Sequence, residues 1–182
     1  MKAKPVISLF LLAGLVVFGC TGVKPAGYGA GTPPPVITQY FSPVDRGPYG
    51  STIFIYLAAE DPAGDMERIA VQVTQVGYGF YPTSFTYLKP NHQKKFVGYV
   101  QWNTYGDAES LPEWTNISMN ITVMDRYGHQ SNAVVVPYQF ASGAFANRPL
   151  PAPFNQGRMS RLGYIDIDLV NPEAPTFGGG VR

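Results

Sequence analysis

Along the middle of the chain, apolar and polar residues alternate with a period of two. Ile53, Ile55 and Leu57 are interleaved with Thr52, Phe54 and Tyr56. Ile69, Val71 and Val73 are interleaved with Ala70, Gln72 and Thr74. Ile117, Met119, Ile121 and Val123 are interleaved with Ser118, Asn120, Thr122 and Met124. Alternation rich in β-branched residues predicts half-buried strands. Weaker versions of the pattern predict strands over Val36–Phe41, Thr83–Leu88, Lys95–Trp102 and Ala133–Phe140. Met66–Val76 has helical spacing as well, but its Val71, Val73, Thr74 and Val76 favour a strand. Turn residues separate the segments: Asp45-Arg46-Gly47-Pro48, Asp61-Pro62-Ala63-Gly64-Asp65, Pro90-Asn91, Gly106-Asp107 and Tyr127-Gly128. About seven short strands and no amphipathic helix predict an all-β fold, a two-sheet β-sandwich over residues 37–140 with alternate side chains facing a shared core.

The flanks follow other patterns. Residues 141–182 form an irregular C-terminal tail rich in Gly and Pro, interrupted by one alternating run: Ile165, Ile167 and Leu169 between Tyr164, Asp166 and Asp168. An isolated strand gains little stability in water. The run is therefore expected to be an eighth, edge strand of the same sandwich, with the two aspartates discouraging further pairing. The alternative is that it adds to a partner's sheet. At the other end, residues 21–36 carry four Gly and four Pro among sixteen positions, which predicts a flexible N-terminal tether stiffened at Pro33–Pro35.

Ahead of the tether, Lys2 and Lys4 precede an uncharged apolar run from Val6 to Phe18. That run falls short of the ~20 residues a membrane-spanning helix needs and suits a signal-peptide core. Val17-Phe18-Gly19-Cys20 resembles the lipobox of bacterial lipoproteins. The resemblance implies cleavage of a signal peptide at residues 1–19 and acylation of Cys20 as the lipid attachment site, with palmitate among the chains. Residues 20–36 then become the lipidated Cys and tether. It also implies a cell-envelope location, with Thr21 favouring the outer membrane in a Gram-negative cell. One acyl chain anchors only marginally, at about 0.8 kcal/mol per buried methylene, so several chains are needed for lasting attachment. A second resemblance lies in the sandwich. Ile121 to Asn132 (ITVMDRYGHQSN) and Ala58 to Asp65 (AAEDPAGD) resemble the last hairpin and an early acidic turn of bacterial immunoglobulin-like and fibronectin-III-like domains. This implies an immunoglobulin-like fold and carries no activity with it.

Composition narrows the function. The 182 residues hold 13 Lys+Arg against 12 Asp+Glu, a balance that gives no basic surface for nucleic acid. One Cys makes neither an internal disulfide nor a thiolate metal cluster. The two histidines, His92 and His129, fall in turns without metal-ligand spacing or a neighbouring nucleophile, and no GxSxG, HExxH or phosphate-binding glycine loop occurs. No enzyme and no cofactor is expected. Two candidate sites remain. Glu60, Asp61 and Asp65, joined by Asp125 from another loop, are a Ca²⁺ candidate, although Ca²⁺ asks for six to eight oxygens and solvated turns explain the same residues. Trp102, Tyr105 and Trp114 flank a long connection and are a candidate ligand or partner surface, with Tyr78, Phe80 and Tyr81 in a second loop. The expected function is a non-catalytic, lipid-anchored envelope protein, an accessory or interaction subunit that presents the sandwich to another envelope protein. The alternative is a carbohydrate-binding surface module that stacks glycan on those aromatics.

Overall fold

A computed structural model describes residues 33–105, 111–143 and 145–173. Cys20, most of the tether and the Gly106-Asp107 turn lie outside the described residues. The described residues form ten strands: β1 (Val36–Phe41), β2 (Arg46–Gly47), β3 (Thr52–Glu60), β4 (Met66–Gln75), β5 (Gly79–Phe80), β6 (Ser84–Tyr87), β7 (Lys95–Asn103), β8 (Asn116–Asp125), β9 (Val134–Phe140) and β10 (Ser160–Ile165). A short 3-10 turn, Pro90–His92, leads into β7.

The strands form two sheets. One has the order β1-β3-β7-β10; the other runs β2-β9-β8-β4-β5, with β6 also on β4. The chain pairs with the first sheet through β1, then crosses to the second, where β2 runs parallel to β9 at Gln139 and Phe140. This sheet membership and edge switch make the chain an immunoglobulin-like β-sandwich. The period-two residues supply the core. Ile53, Ile55, Leu57, Ile69, Val73, Val100, Met119, Ile121 and Val123 are all fully buried between the sheets. One slip of register would turn each of these rows outward, so the alternation itself fixes the pairing.

The expected extra strand after residue 140 is present, at the edge of the four-stranded sheet of the same sandwich. The tail packs onto the sandwich: Phe154, Leu162, Ile165, Ile167 and Leu169 are buried. β10 pairs parallel with β7, Ser160 opposite Gly98 through Ile165 opposite Trp102. The strand thus begins and ends before the alternation at residues 164–169 suggested, and the burial rhythm continues past its end as extended chain. Its outer edge is covered by side chains from β6. Thr86 Oγ1 donates to the Tyr164 carbonyl at 2.8 Å and Ser84 Oγ accepts from Asp166 N at 3.0 Å. These bonds, rather than the exposed Asp166 and Asp168, occupy the backbone there. Two glycines allow the close fit. A Cβ on Gly98 would stand 2.5 Å from the Ser160 carbonyl, and one on Gly163 would run into Thr86.

Candidate interaction surface

The sandwich has two distinct ends. β1 starts at Val36, opposite Glu60, and β7 starts at Lys95, also opposite Glu60. Met66 faces Asp125 at the same end. The chain therefore enters the fold beside the acidic turns. Asn132 fixes that entry: its Oδ1 accepts from Ile37 N at 2.9 Å and its Nδ2 donates to the Ile37 carbonyl at 3.1 Å. The other end carries residues 48–51, the 76–80 hairpin, Thr104-Tyr105 and residues 111–115. β3 separates the two by nine residues, about 30 Å at strand rise.

At the entry end, the carboxylates serve the turns. Asp61 is 1% exposed and accepts from Ala63 N and Asp65 N, both at 3.0 Å. Asp125, equally buried, accepts from Tyr127 N at 2.9 Å and His129 N at 2.8 Å, and its Oδ2 lies 2.7 Å from His129 Nδ1. Both are Asp residues at a strand end whose short side chain satisfies the backbone of the following turn. Glu60 faces away to Lys95, 3.7 Å distant. Burial, with Asp61 and Asp125 nearby, pushes the Asp65 carboxyl above its ordinary range. Burial and the adjacent Lys89 push His92 down. Among the described residues no three His, Cys, Asp or Glu side chains converge to hold a metal ion. Glu60, Asp61, Asp65 and Asp125, the Ca²⁺ candidate, do not form one convergent ligand set there. The oxygens of Asp61 are engaged by backbone N–H groups, those of Asp125 by backbone N–H groups and the His129 imidazole, and Glu60 lies by Lys95.

The aromatic candidate divides. Trp102 is fully buried on β7, and its indole N–H donates to the Ile167 carbonyl at 3.0 Å. It belongs to the core, because its place in the alternation of β7 points inward. Tyr105 and Trp114 are 73% and 59% exposed at the end opposite the chain entry. Tyr105 lies across Gly50, whose φ of +84° suits glycine and whose absent Cβ leaves room for the ring. Trp114 closes a turn in which Thr115 N donates to the Pro112 carbonyl, while Trp114 N reaches the Phe140 carbonyl at 2.8 Å. It takes a left-handed φ of +68°, the one non-glycine residue to do so among those described. A bulky side chain there costs about 1–2 kcal/mol relative to glycine. Strained backbone of this kind is enriched at functional sites, which makes Trp114 a candidate position.

The 76–80 hairpin completes this end. Val76 N donates to the Asn116 carbonyl, and the Asn116 amide donates to the Trp114 carbonyl, so the hairpin and the Trp114 turn are joined through one residue. Val76 and Phe80 are 70% and 72% exposed. Tyr78 stacks at 4.9 Å on the buried Tyr81. The run Val76-Gly77-Tyr78-Gly79-Phe80, with both glycines at positive φ, forms a hairpin where the sequence suggested a loop; its paired glycines are the signal that could have found it. That it stands beside Trp114 depends on the β4–β8 register and has no such signal.

No family model matches the chain, and no curated protein matches it. Among solved structures, a likeness was found to the CARDB domain of the PF1109 protein from Pyrococcus furiosus in complex with di-metal ions. Identity is 12% and the TM-score 0.34, over 60% of this chain and 94% of that one.

Proposed function

We propose that this chain is a non-catalytic, lipid-anchored envelope protein that presents the aromatic end of an immunoglobulin-like sandwich to another envelope protein. The observation that carries the reading is the opposition of the two ends: the chain enters beside Asp61 and Asp125, while Val76, Phe80, Tyr105 and Trp114 stand at the far side. An anchor at Cys20 and a Gly/Pro tether would leave that far side free for docking. Exposed Tyr and Trp are the residues most enriched where protein partners bind.

Two measurements test it. Mass spectrometry of the membrane-extracted protein is expected to find acylated Cys20 as the first residue, and Cys20→Ser to release the protein from membranes. An unmodified thiol overturns the anchor. Crosslinking in intact cells, followed by purification, is expected to yield a discrete partner with the parent chain and to lose it with Trp114→Asn. Retention of the same partner by Trp114→Asn combined with Phe80→Ser overturns the docking surface.

A further inference from the structure

The outward face of the six-stranded sheet carries a trough of about 260 Å³ that has no part in the aromatic end. Its floor is the methyl of Ala70. Across the strands, Ala70 is flanked by Phe85 on β6 and Thr122 on β8. The next row pairs Gln72 directly with Asn120, and Thr83 and Gln130 close the ends. Short alanine between longer neighbours makes the depression. Phe85 forms one wall and is 45% exposed. Its other face is held by the Arg68 guanidinium, 4.9 Å from the ring centroid, a contact that fixes the ring's posture.

The polar groups lining the trough are unspent. On the same sheet, Gln75, Asn116 and Gln139 each donate a hydrogen bond within the protein. The side chains of Gln72 and Asn120, by contrast, face solvent in the trough and join no hydrogen bond within the described residues, and the same is true of the side chains of Thr83, Thr122 and Gln130. No ionisable side chain lines the depression. Arg68, at its margin, is turned onto Phe85 and lies 3.9 Å from Glu67.

We propose that this trough binds a neutral saccharide chain. Amides and hydroxyls both donate and accept, as a sugar's hydroxyls do, and the open face of Phe85 offers an apolar platform for a ring's C–H face. An anionic ligand would find no cationic side chain among those lining the trough, and a peptide adding as a strand would need an open sheet edge where this surface is a face. The site stands apart from the aromatic end, so the two readings fail independently.

Isothermal titration of the detergent-solubilised full chain with cellohexaose and chitohexaose tests it, with an oligogalacturonate as the acidic control. Binding of at least one neutral probe is expected, little changed between 50 mM and 500 mM salt. Phe85→Ala should weaken it at least tenfold and Asn120→Ala at least threefold. Ala70→Leu, which removes no polar group, should abolish it by filling the floor, whereas Trp114→Asn should leave it unchanged. Thermal melts verify that each variant is folded. No heat with either neutral probe at millimolar concentration overturns the proposal. So does binding that the three trough variants leave intact, or binding of the acidic control alone that salt removes.

Discussion

Trp114 combines strain with exposure, and those two properties make separate predictions. Asn tolerates the left-handed region better than Trp, so Trp114→Asn is expected to keep or raise the melting temperature even as it removes the exposed indole. Trp102 shows the opposite case. Trp102→Phe keeps an aromatic core but leaves the Ile167 carbonyl without its donor and a gap where the larger ring stood. It should cost about 2–3 kcal/mol and speed proteolysis at residues 165–170. Both tryptophans look like surface candidates by residue type; the alternation of β7, in phase with Phe96 and Val100, puts Trp102 in the core. Titration is also argued residue by residue. Asp65 has a raised pKa when folded, so the native state holds that proton more tightly than the unfolded chain does. Its carboxylate therefore costs stability at neutral pH, and the cost disappears as pH falls through the raised value towards 3.8. Asp65→Asn should raise the neutral-pH melting temperature and remove that gain on acidification. His92 behaves in reverse. With its folded pKa below 6.5, stability should drop as pH falls through 6.5 and level off below the lowered value. Melts of His92→Asn between pH 7 and 4.5 should lack that step.

Strands were the most legible elements. β1 has the bounds that alternation suggested, and β3, β4, β8 and β9 differ from the expected spans by a few residues. A half-buried strand writes its two faces directly into the sequence. β10 was legible only as a strand-like run. What seats it is written elsewhere: in the missing side chains of Gly98 and Gly163, which let it lie close to β7 and β6, and in Ser84, Thr86 and Trp102, whose polar atoms meet the backbone of residues 164–167. The extended chain beyond β10 is held similarly, with Gln75 Nε2 donating to the Val170 carbonyl at 3.0 Å and Val170 N donating to Tyr81 Oη at 2.9 Å. Gly163→Ala should therefore destabilise by about 1–3 kcal/mol through overpacking against Thr86. Deleting residues 160–182 removes four buried aliphatic side chains and opens the core at Trp102. A loss of at least ~4 kcal/mol in denaturant unfolding is expected, since each such side chain contributes about 1.5–3 kcal/mol.

At the scale of the molecule, the candidate sites were only partly readable. Aspartates at turns look alike in sequence whether they wait for a cation or satisfy their own backbone. The orientation of Asp61 and Asp125 decides it, and that orientation belongs to the turn. The trough by Phe85 was equally hidden, since it needs three strands in register to set Ala70 between Phe85 and Thr122. The arrangement of the two ends has a mechanical consequence. β1 leads away from its sheet at Val36, and its antiparallel bonds to β3 lie across the direction joining the entry to the aromatic face. Tension applied between those points would act along the strands, loading the β1–β3 rungs in shear and all at once instead of peeling them one by one. A module held by fat at one side and tugged by its partner at the other would resist rupture through the very strand that follows its leash.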